Sequence, residues 1–213
     1  PAGVAQCSGR ALAGKILISL TLTAPLGIAG GFVVNRLCYA LASTAHPSIN
    51  LIFNRGQIIA SVFLGLTIGS NNAQNAMGVA VLSLVATGKL RSFAVPAWVV
   101  IASATLLALG NLAGGMRVMR SVSVGFFRIR PIHGLSAELS SAAIIATSSL
   151  LGGDVSTTHV TNMSIIGAGA GERLAMVRWG FVQRVLLTWI ITIPVTGLLA
   201  AILYILLRTL QIQ

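Results

Sequence analysis

Long apolar runs, separated by short polar stretches, dominate the pattern of this chain. They cover residues 14–42, 94–116, 134–151 and 176–207. A helix rises about 1.5 Å per residue, so about 20 apolar residues cross the ~30 Å hydrocarbon layer of a bilayer. The pattern therefore predicts roughly five or six membrane crossings or half-crossings, in a single transmembrane domain over residues 1–213.

Two polar stretches interrupt this pattern where the chain should still be inside the membrane. They are residues 69–78 (GSNNAQNAMG) and residues 152–164 (GGDVSTTHVTNMS). The apolar run before the first stretch, residues 57–68, would form a helix of only about 18 Å. Such a pattern is typical of broken helices or re-entrant hairpins. We expect the glycines of the two stretches to allow a turn or a close backbone approach: Gly69, Gly78, Gly152 and Gly153.

Composition supports helices embedded in a membrane. Hydrophobic residues make up 55% of the chain and charged residues 8%, with a mean hydropathy of +0.92. Soluble domains carry about 25% charged residues, so a soluble protein is excluded. The 23 glycines favour closely packed helices with small residues at their contacts. Because the apolar runs are too long and continuous for a barrel, the fold class is an all-α, polytopic integral membrane bundle.

Basic residues outnumber acidic ones by 14 to 3, which gives a formal net charge of +11. No basic patch interleaved with aromatic residues is visible, so nucleic acid is not an expected partner. Lys and Arg in the loops of a membrane protein mark its cytoplasmic side. We expect residues 116–131 to form such a loop, and residues 43–57 to form another polar loop. The solvated charges of the first loop would be Arg117, Arg120, Arg128 and Arg130.

Hydroxyl and amide side chains are concentrated in the two polar stretches. Ser156, Thr157 and Thr158 can donate hydrogen bonds to an oxyanion at the N-terminus of the helix that follows. The alternative is that they only cap that helix. The amides of Asn71, Asn72, Gln74 and Asn75 offer oxygens to a cation and NH₂ groups to an anion. The alternative for the amides is hydrogen bonding between helices.

The titratable residues offer one further candidate. Glu138 is the one acid well inside an apolar run, where a carboxylate indicates function. The alternative places it near the interface, in contact with water or Arg130. We interpret His159 as hydrogen-bonded structure rather than a proton carrier, and we place His46 and His133 in loops. No nucleotide loop, zinc spacing or nucleophile elbow is present, so neither an enzyme nor a resident metal or cofactor is expected.

Several of these stretches resemble the inorganic phosphate transporter (PiT) family. DVSTTHVTNMSIIG (residues 154–167) matches its P-V-S-T-T-H motif, and GSNNAQNAMG matches its G-A-N-D-x-x-N-A-x-G motif. IHGLSAELSSA (132–142) is similar to its G-F-x-x-E-L element, and residues 186–207 are similar to its last helix. Two positions depart from the family: Asn72 stands where members carry Asp, and Asp154 stands where they carry Pro.

The resemblance implies a phosphate symporter coupled to Na⁺ or H⁺, with hairpins from two inverted repeats meeting at the substrate site. It implies substrate binding by Ser156, Thr157 and Thr158, with Asn71 and Gly69. It implies cation coupling by Asn72, Asn75 and Glu138, with Na⁺ as the only metal ion. An amide at position 72 should hold Na⁺ less strongly than a carboxylate would.

The resemblance covers the C-terminal part of a family member, so the expected partner of the chain is a missing N-terminal half or a second copy. The other expected partners are phosphate, Na⁺ or H⁺ and the lipid bilayer, and the expected location is a prokaryotic inner membrane. Sulfate stays open as the substrate, because it is also a tetrahedral dianion. A truncated or accessory membrane protein that transports nothing is a further alternative.

Overall fold

The computed structural model describes residues 9–42, 49–90, 92–151 and 155–209. These residues form helices joined by short connections, which confirms the predicted all-α class. The helices are α1 (Gly9–Ala42), α2 (Ile49–Ala86), α3 (Ala97–Gly125), α4 (Pro131–Leu150), α5 (Thr157–Glu172) and α6 (Trp179–Thr209), with a single 3₁₀ turn at Leu174–Met176. Helices α1–α5 belong to one compact unit and α6 to another.

Within the described ranges, four helices are long and apolar enough to cross a membrane. The spans are Leu22–Ala42, Asn50–Ala86, Ala97–Met116 and Trp179–Leu206. Most of their large apolar side chains are exposed, as lipid-facing residues would be. Helices α4 and α5 are shorter and carry many of the buried residues of the first unit.

Contacts between helices fix their directions. Gly27 of α1 lies against Met163 of α5, and Gly171 at the end of α5 lies against Asn35 further along α1. Helices α1 and α5 are therefore parallel. Ser136 of α4 hydrogen-bonds Asn35, whereas the later Ser140 lies beside the earlier Gly30, so α4 runs in the opposite direction to α1. Ser61 and Asn71 of α2 meet Glu138 and Ser149 of α4 in the same order, so these two helices are parallel.

Glycines let α1 and α5 touch backbone to backbone. A Cβ added at Gly31 would collide with the Ser164 carbonyl, and one at Gly167 would collide with the Ile28 carbonyl. A Cβ at Gly27 would lie 2.8 Å from the Met163 Cβ. The spacing of Gly27 and Gly31, and that of Gly167 and Gly171, is the small-xxx-small pattern of close helix pairs. The expected small-residue contacts are thus present.

The first polar stretch does not break its helix, so that expectation was wrong. Helix α2 continues without interruption from Ile49 to Ala86, through all of residues 69–78. Gly69 and Gly78 are helical, and a Cβ at either would meet nothing within 4 Å, so neither makes a turn or a close approach. A glycine inside a helix costs only about 1 kcal/mol relative to alanine, which packing of the rest of the helix readily offsets.

The second polar stretch does separate two helices, as predicted. Helix α4 ends at Leu150, and α5 begins at Thr157. Gly152, Gly153 and Asp154 lie outside the described residues. Because α4 and α5 run in opposite directions, the chain reverses between them.

Two predicted loops proved to be largely helical. Helix α2 already begins at Ile49, inside the stretch assigned to a loop; residues 43–48 lie outside the described residues. Helix α3 continues to Gly125, so only residues 126–130 connect it to α4. Phe126 and Phe127 of this connection are buried. Both predictions gave too much weight to isolated polar residues at the ends of long apolar helices.

Candidate functional site

The predicted hydroxyl cluster lies at the start of α5, but its three side chains differ in exposure. Ser156 is the N-cap, and its Oγ accepts a hydrogen bond of 3.4 Å from the His159 N–H, so the capping alternative holds for this residue. Thr157 is buried and Thr158 is exposed. Neighbouring helical residues point about 100° apart, which explains the difference. Thr157 is therefore the hydroxyl that can act inside the protein.

The amides of α2 likewise point in different directions. Asn71 is 5% exposed, and its Oδ1 accepts a hydrogen bond of 3.1 Å from Ser149 Oγ of α4. Asn75 lies one turn further along the same side of the helix, and Asn72 is half-buried. Gly69 is exposed on the side of α2 opposite Asn71, so the structure does not bring it to α5. The interhelical bonding that was the alternative is observed at Asn71.

The start of α5 and the part of α2 that carries Asn71 lie at the same end of the packed helices. Ile68 of α2 and Val155, just before α5, both pack against one apolar cluster. That cluster consists of Leu64, Ala142, Ile145 and Val160. Apolar residues close in sequence to Asn71 and to Thr157 therefore share one core. That the two polar stretches serve one site stays a prediction.

Glu138 does not belong to this end. Its Oε1 accepts a hydrogen bond of 2.8 Å from Ser61 Oγ, Gln57 also hydrogen-bonds the carboxylate, and Oε2 is buried without a partner in the described part of the chain. Arg130 is not its partner, contrary to the alternative considered from the sequence. Glu138 and Ser149 are 11 residues apart on α4, which corresponds to about 16 Å along the helix. The structure thus separates Glu138 from Asn72 and Asn75.

A cluster around Glu172, at the opposite end of α5, was missed by the sequence reasoning. The Glu172 carboxylate accepts hydrogen bonds from Tyr39 Oη at 2.8 Å and from the Arg130 guanidinium. His133 Nε2 lies 2.6 Å from the same carboxylate, and its Nδ1 accepts from the Arg130 backbone N–H. One carboxylate therefore joins the end of α1, the α3–α4 connection and the first turn of α4. We call these four residues the Glu172 cluster.

The charges of the Glu172 cluster follow from its hydrogen bonds. Burial raises the pKa of the Glu172 carboxyl, but the hydrogen bonds from Arg130, Tyr39 and His133 outweigh it and lower the pKa to about 2. Burial is the main reason that the pKa of His133 is lowered, and this keeps the ring neutral. Because Nδ1 is an acceptor, the neutral ring carries its proton on Nε2 and donates it to Glu172.

Two sequence predictions are corrected by this cluster. His133 is not in a loop but is a buried residue of α4, with the Phe127 ring edge-on at 5.2 Å. Arg130 is not a purely solvated charge, because it is paired with Glu172. The scarcity of acids was the available signal: an acid that follows GAGAG in a chain with only three carboxylates indicates a specific partner.

Within the described ranges, no group of three or more His, Cys, Asp or Glu residues could hold a metal ion. The chemistry available near Asn71 and Thr157 is instead that of neutral hydroxyl, amide and backbone donors and acceptors.

The family comparison matches most of the chain. A model described as the phosphate transporter family matches residues 16–200. A protein of Bacillus subtilis named "Probable low-affinity inorganic phosphate transporter" is 36% identical over 197 residues, which are 91% of this chain and 59% of that protein. A protein of Mycobacterium leprae with the same name is 37% identical over 89% of this chain and 47% of its own length. The chain spans about half the length of these curated relatives.

A solved structure agrees in fold. It is described as "The sodium-dependent phosphate transporter", and it superposes with a TM-score of 0.75 over 91% of this chain and 66% of its own. Its sequence identity of 19% makes this a likeness of fold alone. The matching model describes transporters, in agreement with the prediction that the chain is not an enzyme. On the strength of the match to residues 16–200, the chain belongs to the phosphate transporter family.

Proposed function

We propose that this chain takes part in moving inorganic phosphate across a membrane, coupled to the entry of a cation. Membership of the phosphate transporter family supports the substrate. The description of the similar solved structure as sodium-dependent supports Na⁺ as the cation. The four long apolar helices support an integral membrane location, and the bacterial relatives support a prokaryotic cell membrane.

The observation that carries this proposal is the buried Thr157 hydroxyl at the start of α5, at the same end as Asn71. The first N–H groups of a helix have no partner inside the helix and carry a partial positive charge. Together with a hydroxyl and an amide, they suit a phosphate oxyanion. Removed from water, such hydrogen bonds to a charged group are stronger than they would be on the surface.

The cation side is assigned to two places. Asn72 and Asn75 offer neutral oxygens on α2, near the anion donors. Glu138 offers the carboxylate, with one oxygen held by Ser61. On α4, Glu138 lies 11 residues before Ser149, the partner of Asn71, which is about 16 Å along the helix. Glu138 is therefore too far away to contact an anion held at Asn71 and Thr157.

Thr157→Val tests the anion site with Thr158→Val as a matched control, because the two residues are adjacent and only Thr157 is buried. In liposomes containing the complete protein, uptake of labelled phosphate should fall about tenfold or more for Thr157→Val, through loss of a desolvated hydrogen bond. Thr157→Ser should retain uptake, and Thr158→Val should stay near the natural level. Equal phosphate uptake by Thr157→Val and Thr158→Val would contradict the assignment of Thr157 to the anion site. Uptake of labelled sulfate is measured in parallel.

A further inference from the structure

Among the side chains that the structure describes in the first compact unit, positive charge is concentrated at one end. Helices α1 and α5 finish at this end, and α2 and α4 begin there. Five of the six Lys and Arg side chains described in this unit lie there, and we call their location the arginine end: Arg36, Arg55, Arg128, Arg130 and Arg173. The sixth, Lys89, follows α2 at the opposite end.

Carboxylates neutralise little of this charge. The sequence contains three acids. Glu172 is occupied by Arg130 and His133, and Glu138 is held by Ser61 of α2. Among the described residues, no carboxylate pairs with the four other arginines of this end, and all four are exposed. The arginine end therefore presents an uncompensated positive surface.

Exposed apolar side chains lie close in sequence to two of these arginines, Arg36 and Arg55. On α1, Leu37 and Leu41 follow Arg36 and are 57% and 76% exposed. On α2, Leu51 and Ile52 precede Arg55 and are 60% and 68% exposed. Charged groups at the edge of lipid-facing apolar residues lie at the depth of lipid headgroups. The Arg36 guanidinium also lies 5.5 Å from the centre of the Phe32 ring, so its stem follows the apolar surface.

We propose that the arginine end binds the phosphate groups of anionic membrane lipids. Free inorganic phosphate has the same chemistry, but a site for an aqueous ion has no need of exposed leucines and isoleucines beside its arginines. Guanidinium groups match phosphate oxygens in geometry and stay charged at every physiological pH. This inference does not depend on the proposed transport function, because it concerns the end of the unit opposite Thr157.

Native mass spectrometry of the complete protein in detergent tests this surface. The protein is titrated with phosphatidylglycerol and, separately, with phosphatidylcholine. The test variant replaces Arg36, Arg55, Arg128 and Arg173 by Gln and leaves Arg130 paired with Glu172. Each surface arginine should contribute about fivefold to anionic-lipid affinity. The natural protein should therefore prefer phosphatidylglycerol, and the test variant should lose at least about tenfold of that preference.

Two control variants separate the effects of position and charge, and competition by inorganic phosphate identifies the source of the ligand. Lys89→Gln removes a charge from the opposite end and should keep the preference. Replacing the same four arginines by Lys keeps the positive charge and should retain most of the preference for phosphatidylglycerol. If the fourfold Gln variant does not fold, the double variant Arg128→Gln with Arg173→Gln is used in its place. A preference unchanged by the Gln substitutions, or lost equally in Lys89→Gln, would overturn the proposal. Displacement of the lipid by millimolar inorganic phosphate would identify a free-phosphate site instead.

Discussion

At the residue scale, Glu172 is a clear example, among the described residues, of a side chain that joins distant parts of the chain. It accepts hydrogen bonds from groups on three other segments and is 19% exposed. Removing one partner from such a cluster leaves charged or polar groups without compensation, which costs more than the loss of a single surface ion pair. A single carboxylate can therefore fix the relative positions of the ends of α1, α4 and α5.

Glu172→Gln should destabilise the protein, because Arg130 and His133 lose their charged acceptor. We expect a loss of about 2 kcal/mol and, for a chain of this size, a thermal midpoint in detergent lower by about 5 °C. The pKa of Glu172 is lowered from 4.5 to about 2 in the folded protein. Its contribution is therefore complete above pH 4.5 and declines as the pH falls from 4.5 towards 2.

The measurement is the midpoint of thermal unfolding of the natural protein and of Glu172→Gln, at several pH values between pH 8 and pH 3.5. The difference in midpoint should be constant down to about pH 5 and smaller below it. Tyr39→Phe removes the hydrogen bond that Tyr39 Oη donates to Glu172 and the one that it accepts from Arg130. It leaves the charges, so it should cost less than Glu172→Gln. A difference that widens as the pH falls would contradict the ionised, hydrogen-bonded carboxylate.

At the element scale, glycine has opposite effects on stability in two helices of this protein. In α1, Gly31 allows the backbone to lie against α5. In α2, Gly69 is exposed, has open space around it and only weakens the helix. The residue type is the same, and the neighbouring helix decides whether a methyl group can be accommodated.

The substitutions Gly31→Ala and Gly69→Ala should therefore change stability in opposite directions. A Cβ at Gly31 would force α1 and α5 apart, which we expect to cost about 1–3 kcal/mol. A Cβ at Gly69 meets nothing and should add up to about 1 kcal/mol through helix propensity. The measurement is the midpoint of thermal unfolding in detergent. Destabilisation by Gly69→Ala would show that α2 is not a continuous exposed helix at this position.

At the scale of the whole molecule, the proposed anion and cation groups are distributed over α2, α4 and α5. Asn71 and Thr157 share one end, whereas Glu138 lies nearer the start of α4. Asn72 places a neutral amide, and no fixed negative charge, at this end. Coupling of the cation to phosphate should consequently be weak at this end.

Asn72→Asp should strengthen the dependence of phosphate uptake on Na⁺. A unit charge at ~4 Å contributes about 4 kcal/mol of gross attraction at an effective dielectric near 20. Desolvation removes part of this, and what remains should raise apparent Na⁺ affinity by more than about tenfold. Gln74→Glu places the same charge at an exposed position of α2 and serves as the control.

Uptake by the complete protein in liposomes, followed against external Na⁺ at two pH values, provides the measurement. The natural protein should respond weakly to Na⁺, and Asn72→Asp should respond steeply. Steep dependence in the natural protein, unchanged by Asn72→Asp, would mean that residue 72 does not face the ion. The amides of α2 would then serve only to hold helices together, as Asn71 and Ser149 already do.

Local properties of the chain were readable from its sequence. Apolar content and run length determine that α1, α2, α3 and α6 suit a bilayer, because transfer from water depends on each segment's own composition. The density of hydroxyls and glycines predicted the separation of α4 from α5. The V-S-T-T-H and amide motifs supported membership of the phosphate transporter family, which the comparison confirmed.

Contacts between distant residues were decided only by the tertiary structure. Tyr39 and Glu172 are 133 positions apart, and no local pattern relates them. The continuity of α2 was also decided by packing, because the cost of glycines and amides in a helix is small beside the gain from contacts with α4. Whether Asn71, Thr157 and Glu138 share a site depends on helix direction and register, and these are set by which side chains interlock across the helices.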